Sequence, residues 1–270
     1  MANYKVVDAD ELDAKFKAIA DSIRGKTGKT ELIPDDDIPS EIDSIPTGGG
    51  SGDELFNTYM NNEITNFVVS KEATKVRPYL FYKDTTIKTA DLRNATNVGS
   101  EAFRDSTLEE VIFNDDFVAK GSCIGARVFY NTQLVDVNST IEFYLYSSSP
   151  GLFSYCSKLK NVYLPNVFIY TSQIFYNCSA LEKVVISGTS FGSQCFANCS
   201  SLTALVLVNE TKATLTLANC FTGTPIANGT GYIYVPKALI EEYKVDTNWV
   251  TYSSQFRAIE DYPEICGGAE

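Results

Sequence analysis

The 270-residue chain contains no histidine. Ser-His-Asp and Cys-His catalysis, His-ligated zinc and His-based pH switching are therefore excluded together. Positive charge is scarce as well: 22 Lys and Arg stand against 34 Asp and Glu, a formal charge of −12. Binding to a phosphate backbone needs clustered Lys and Arg, so no nucleic-acid partner is expected. No run approaches the ~18 apolar residues of a membrane span, so no membrane insertion is expected. The opening "MANYKVVDADELDAKF" has neither a basic stretch nor an apolar one behind it, and so does not read as a secretory signal. Synthesis in a reducing cytoplasm follows as the expectation, with the seven cysteines as thiols rather than disulfides.

Apolar residues nevertheless make up 44% of the chain, enough for a full core. The first element is helical. In "VVDADELDAKFKAIADSIRGKTG", Leu12, Phe16, Ile19 and Ile23 fall at spacings of four, three and four, one stripe of a helix. Asp8 and Glu11 resemble a capping box, and Gly25 or Gly28 closes the end. A lone helix of about 16 residues is marginal in water, so the stripe predicts docking to another protein or self-association into a homo-oligomer. "GKTGKT" (25–30) is not a phosphate loop, because the glycine required five residues before Gly28 is Ile23. Three prolines, an acidic run and "GGGSG" follow and read as a linker. The predicted division is an anchor over 1–47 and a linker over 48–54.

From residue 55 the chain repeats. "LFSYCSKLKNVYL" from Leu152, "IFYNCSALEKVVI" from Ile174 and "CFANCSSLTALVL" from Cys195 share one pattern: apolar-Phe-x-x-Cys-Ser-x-Leu-x-x-apolar-x-apolar. Looser copies begin at Leu55, Leu80, Ala102, Val128 and Cys220. Phenylalanine recurs at positions 81, 103, 129, 153, 175, 196 and 221, and a period of about 20–30 residues marks a solenoid. Each unit ends in a short strand whose alternate residues face inward, with the Phe as an anchor ahead of it. One unit cannot bury that face alone, whereas stacked units can. A solenoid with a parallel sheet along one side is therefore predicted over 55–231.

The cysteines read as packing. Cys156, Cys178 and Cys199 hold one slot of the repeat, and other copies fill it with Asp84, Ser106, Thr132 and Thr224. A ligand set would not survive such replacements. No metal, cofactor or catalytic residue is expected. Asn131, Asn177 and Asn198 share the position two after the Phe, which predicts stacked asparagines bonding the turn backbone of the next coil. With the strand valines and leucines pointing inward, the outward row is Ile112, Asn138, Tyr163, Val185 and Val206. Four of the five are apolar or aromatic, more than a solvated face needs, so the row is either a binding face or a covered one.

The Phe-x-x-Cys-Ser-x-Leu-x-x-Val units resemble the BspA-type leucine-rich repeats of bacterial surface proteins. The resemblance implies an α/β repeat fold, a leucine-rich-repeat solenoid. The segment from Tyr232 to Glu260 looks like that family's terminal cap, a strand, Pro236, a helix with Leu239 and Tyr243, then Trp249 and Tyr252, with a tail over 261–270. "ADSIRGKTGKTELIPDDDIPSEIDSI" (20–45) resembles a segment of tail proteins of phages and prophages of Gram-positive bacteria. That likeness implies a virion structural protein that leaves its host by lysis, with tail or baseplate proteins as partners and a host-surface protein or glycan as receptor. The alternative is a bacterial surface adhesin, and the remote one is a virion-borne glycan depolymerase.

Overall fold

The computed structural model describes residues 65–69, 75–113, 124–139, 143–145, 150–169, 171–188 and 190–267. The helix stripe Leu12, Phe16, Ile19 and Ile23 and the glycine linker lie outside the described residues.

The repeats wind into a solenoid in which every strand pairing among the described residues is parallel. Seven coils carry the phenylalanines, and their rings stack into a spine. Successive centroids lie 5.3 Å apart from Phe81 to Phe103, 5.7 Å to Phe129, 5.4 Å to Phe153, 5.5 Å to Phe175, 5.6 Å to Phe196 and 5.3 Å to Phe221. Interplanar angles of 1–17° make these stacked contacts, the geometry aromatic pairs favour when offset. An eighth unit contributes the strand Asn66–Val68, with Phe67 packed at 5.0 Å against Phe81.

The Phe turns obey a backbone rule that composition does not announce. In six coils the residues two before and two after the Phe both have positive φ, as in Arg127 (53°) and Asn131 (53°), or Gln173 (58°) and Asn177 (60°). In five of these coils the backbone N–H groups at the Phe and at both positive-φ positions donate to carbonyls of the following coil, as Gln173 to Ser193 (3.1 Å), Phe175 to Cys195 (2.8 Å) and Asn177 to Ala197 (2.9 Å). The expected role of the asparagines is thereby corrected. Their backbone N–H, not their side chain, reaches the next coil, and asparagine is favoured because it tolerates left-handed backbone. Asn131 Nδ2 does bond across coils, but to the Asp105 carboxylate at 2.7 Å. Gly99 and Gly125, four before the Phe, mark a closer approach still. A Cβ there would lie 2.3 Å from the Pro78 nitrogen and 2.4 Å from the Ser100 nitrogen.

On the sheet side, Asn66–Val68, Thr89–Asp91 and Glu110–Ile112 form a three-stranded sheet. Asp136–Asn138, Asn161–Ile169, Lys183–Gly188, Ala204–Leu207, Tyr232–Val235 and Phe256–Ala258 follow in that order in a seven-stranded one, with Phe143–Leu145 paired to the strand Asn161–Ile169. The predicted single sheet is thus interrupted between Ile112 and Asp136. Continued register would set Glu110 opposite Asp136, and like charges facing across a ladder disfavour pairing.

After the strand Tyr232–Val235 comes a turn of 3-10 helix at Lys237–Leu239 running into an α-helix at Ile240–Val245. Tyr243 and Trp249 are fully buried and serve one residue of the last coils. The Ala213 N–H donates to the Tyr243 hydroxyl at 2.8 Å, and Trp249 Nε1 donates to the Ala213 carbonyl at 2.8 Å. Among the described residues no helix is long and apolar enough to cross a membrane.

Candidate binding surfaces

The outward row of the sheet is real as a register. Asn138 pairs with Tyr163, Tyr163 with Val185, Val185 with Val206, Val206 with Tyr234 and Tyr234 with Arg257. Ile112 stands at the end of the separate three-stranded sheet, opposite Asp91.

Exposure divides this row in two. Ile112 is 37% exposed, Asn138 is exposed and Tyr163 is half-buried, whereas Val185 and Val206 are fully buried. These two valines are therefore not a free binding face. They form a second, small core with Ala204 and Tyr234, and the cover is the end of the chain itself. After the edge strand Phe256–Ala258, two 3-10 turns, Ile259–Asp261 and Pro263–Cys266, fold back over the sheet. Ile259, Ile265 and Cys266 pack on the patch, and the Tyr262 ring lies 5.4 Å from that of Tyr234. Two polar contacts pin the strap: the Lys237 N–H donates to the Glu260 carboxylate (2.9 Å), and Lys183 Nζ donates to the Gly267 carbonyl (2.8 Å).

The sequence held a signal for this cover. Strands buried on both faces read as continuous apolar runs, as "VVI" at 184–186 and "ALVL" at 204–207 do. By contrast, "EVI" at 110–112 and "DVN" at 136–138 keep a polar residue outward.

The cysteine slot is buried and has a chemical job. Cys156, Cys178 and Cys199 are fully buried, and each Sγ donates to the Phe carbonyl of the preceding coil at 3.0 Å. In the other copies Ser106, Thr132 and Thr224 donate their hydroxyls to the Phe carbonyl of their own coil, at 2.7, 3.0 and 2.7 Å. In these copies the slot holds a small donor that gives a buried Phe carbonyl a second bond beside the turn N–H it already accepts, as Phe153 does from the Cys156 N–H at 3.2 Å. Burial pushes the Cys156 thiol up to about 11 and the Cys199 thiol up to about 12, and raises Cys178 well above its ordinary value. Thiols so held are protonated and inert at neutral pH. Among the described residues no three metal-ligating side chains gather.

A second surface lies on the Phe-turn side, and the sequence reading missed it. There a groove of about 290 Å³ is lined by Arg104, Arg127, Tyr130, Tyr155, Gln173 and Tyr176, together with Gly151 and Ser154. Tyr130, Tyr155 and Tyr176 come from three successive coils, with centroids 5.0 and 5.5 Å apart. The Arg104 guanidinium sits 5.0 Å over the Tyr130 ring and 5.5 Å over the Tyr82 ring. It also bonds Glu101 at 2.6 Å and Asp105 at 3.2 Å, while Arg127 is 3.7 Å from Glu101. Desolvation, reinforced by Tyr155, raises the Tyr130 hydroxyl above its ordinary value. The signal in the sequence was an aromatic or arginine repeatedly placed beside the spine Phe, at 82, 104, 130 and 176.

The model of a BspA type leucine rich repeat region (6 copies) matches residues 51–133 and 122–231. No curated protein matches the chain. Among solved structures, a leucine-rich repeat protein from Eubacterium ventriosum is 12% identical, covering 70% of this chain and 77% of its own, with a TM-score of 0.29. A leucine rich cell surface protein from Faecalibacterium prausnitzii is 14% identical over 77% of this chain and 83% of its own, with a TM-score of 0.30. A leucine-rich repeat protein from Bacteroides ovatus is 13% identical over 73% and 84%, with a TM-score of 0.28.

Proposed function

The chain belongs to the BspA-type leucine-rich repeat family, and from that premise we propose that it is a non-catalytic adhesion scaffold displayed at a surface. The observation that supports this reading is the outer face of the strands, where Asn138 is exposed beside the half-buried Tyr163 in register and Ile112 is exposed at the end of the neighbouring three-stranded sheet. Its energetics need no bond chemistry, only burial of those groups on a surface that does not reorganise. The test is binding of the purified full chain to bacterial and animal cell surfaces, beside a variant carrying Ile112→Ser and Tyr163→Ser. Adhesion that the double variant loses supports the reading. A full chain that binds neither surface, or releases reducing sugar from wall glycan, removes it.

A second reading, prompted by the residue pattern of 20–45 and matched by no curated relative, is a tail-associated virion component. In it the stripe Leu12, Phe16, Ile19 and Ile23 docks the chain to other tail proteins or to further copies of itself. The solution mass of the full chain beside a chain beginning at Gly52 tests the stripe, since only the longer one should be oligomeric. Detection of the protein in purified phage particles would favour the virion over the cell surface.

A further inference from the structure

We infer that the tyrosine–arginine groove on the Phe-turn side binds an uncharged oligosaccharide. This deepens the adhesion reading and rests on it, but it uses a surface separated from the open sheet row by the core.

Three observations lead there. The fold does not require the groove's aromatics. In the slot of Tyr130 and Tyr176 the later coils carry Ala197 and Thr222, yet Phe196 and Phe221 stack at 5.3 Å and 1°. In the slot of Tyr155 other coils carry Asn131, Asn177 and Asn198 at the same positive φ. Tyr155 is nonetheless 38% exposed, with a tyrosine neighbour in the coil on either side.

The lining also matches one ligand chemistry. A pyranose presents a C–H face to an aromatic ring and hydroxyls at its rim. Tyr155 and Tyr176 supply ring faces, and Arg127, Gln173 and the phenol hydroxyls supply planar or rotatable donors. The volume of about 290 Å³ suits one or two sugar rings at the small end of ligand sites.

Charge then selects the ligand. The two arginines are balanced by Glu101 and Asp105 directly behind them, and the whole chain carries −12. A polyanion would find no uncompensated guanidinium and a repulsive field. An extended peptide would find no edge to pair with, because the turn N–H groups here already donate to the next coil, as Arg127 to Pro150 (3.1 Å) and Tyr155 to Tyr176 (2.7 Å).

The repeat itself supplies the test variants. Tyr155→Asn and Tyr176→Ala install residues that sister coils accept at the same slots, so the fold is retained. The probe is an immobilised panel of neutral gluco-, galacto-, manno- and N-acetylhexosamine oligomers, with hexuronate and sialylated oligomers beside them. The full chain should be retained on at least one neutral member, without dependence on salt. Each variant should weaken that retention about tenfold, the loss of one ring contact, while Val245→Ser, 80% exposed at the end of the α-helix, should leave it unchanged. No neutral member bound, retention only on charged members and abolished by salt, or a Tyr155→Asn chain that binds like the parent would each overturn the inference. Cell adhesion that persists without glycan binding would remove the groove alone; glycan binding without cell adhesion would remove the adhesion reading alone.

Discussion

Two stretches of the outer strand face meet opposite fates. On the strands Glu110–Ile112 and Asp136–Asn138 burial alternates, with the outer residues exposed and the middle one buried. On Lys183–Gly188 and Ala204–Leu207 nearly every residue is buried. The inward side chains are equivalent throughout, so the inner face and the spine are not what differs. The difference is the chain's own last turns, which lie over Val185 and Val206, while Tyr163 at the edge of that patch is half-buried and Asn138 and Ile112 are exposed. In a solenoid the repeat position decides which way a side chain points; what lies above it decides whether water reaches it.

The strongest check is that the spine ignores this division. Phe103→Ala, beneath the open half, and Phe175→Ala, beneath the covered half, should each cost about 3–5 kcal/mol in urea unfolding, because both rings are fully buried between stacked neighbours. A large difference between them would mean that the tail reaches further into the core than its contacts indicate. The outer face should separate the halves cleanly. Val206→Asp places an uncompensated charge under the tail and should cost roughly 3 kcal/mol. Ile112→Ser, on the open half, should stay within about 0.5 kcal/mol. Equal effects would dissolve the comparison.

Removing the tail from Tyr262 onward should cost about 1–2 kcal/mol, the scale of the half-buried Ile265 and the face it covers. The same truncation should raise binding of a hydrophobic dye, since it opens Val185 and Val206. The smallest effect at neutral pH is that of the thiol column. Its folded-state thiols are raised from 9.0 to about 11 at Cys156 and about 12 at Cys199, so the unfolded chain loses those protons first. Stability is then complete below pH 9 and falls as pH climbs through the 9–12 window. Replacing Cys156 and Cys199 by Thr, the residue at 132 and 224, should flatten that alkaline decline.

Much of this molecule was legible from its residues. The Phe-x-x-Cys-Ser-x-Leu pattern carried the coil, the spine and the parallel strands, and Tyr243 and Trp249 carried the cap. Of the expected row, Asn138, Tyr163, Val185 and Val206 share a register, while Ile112 lies on the separate three-stranded sheet. What escaped was every feature that depends on a second segment crossing a first. The break at Asp136 depends on which charge the neighbouring coil brings. The asparagines hold a backbone angle whose purpose is visible only once the next coil's carbonyls are in place. The tyrosine groove exists because coils set residues about 25 positions apart side by side.

The sequence by itself determined the repeat, because periodicity of apolar positions is a local property and stacking is the one way such units bury their faces. It also removed the chemistry that needs an imidazole, since the chain has no histidine. Only the tertiary structure decided which half of the outer face is a surface. The tail's apolar residues could have met solvent, another copy or any coil, and burial is a property of the pair, fixed when Ile265 and Cys266 come to rest on Val185 and Val206.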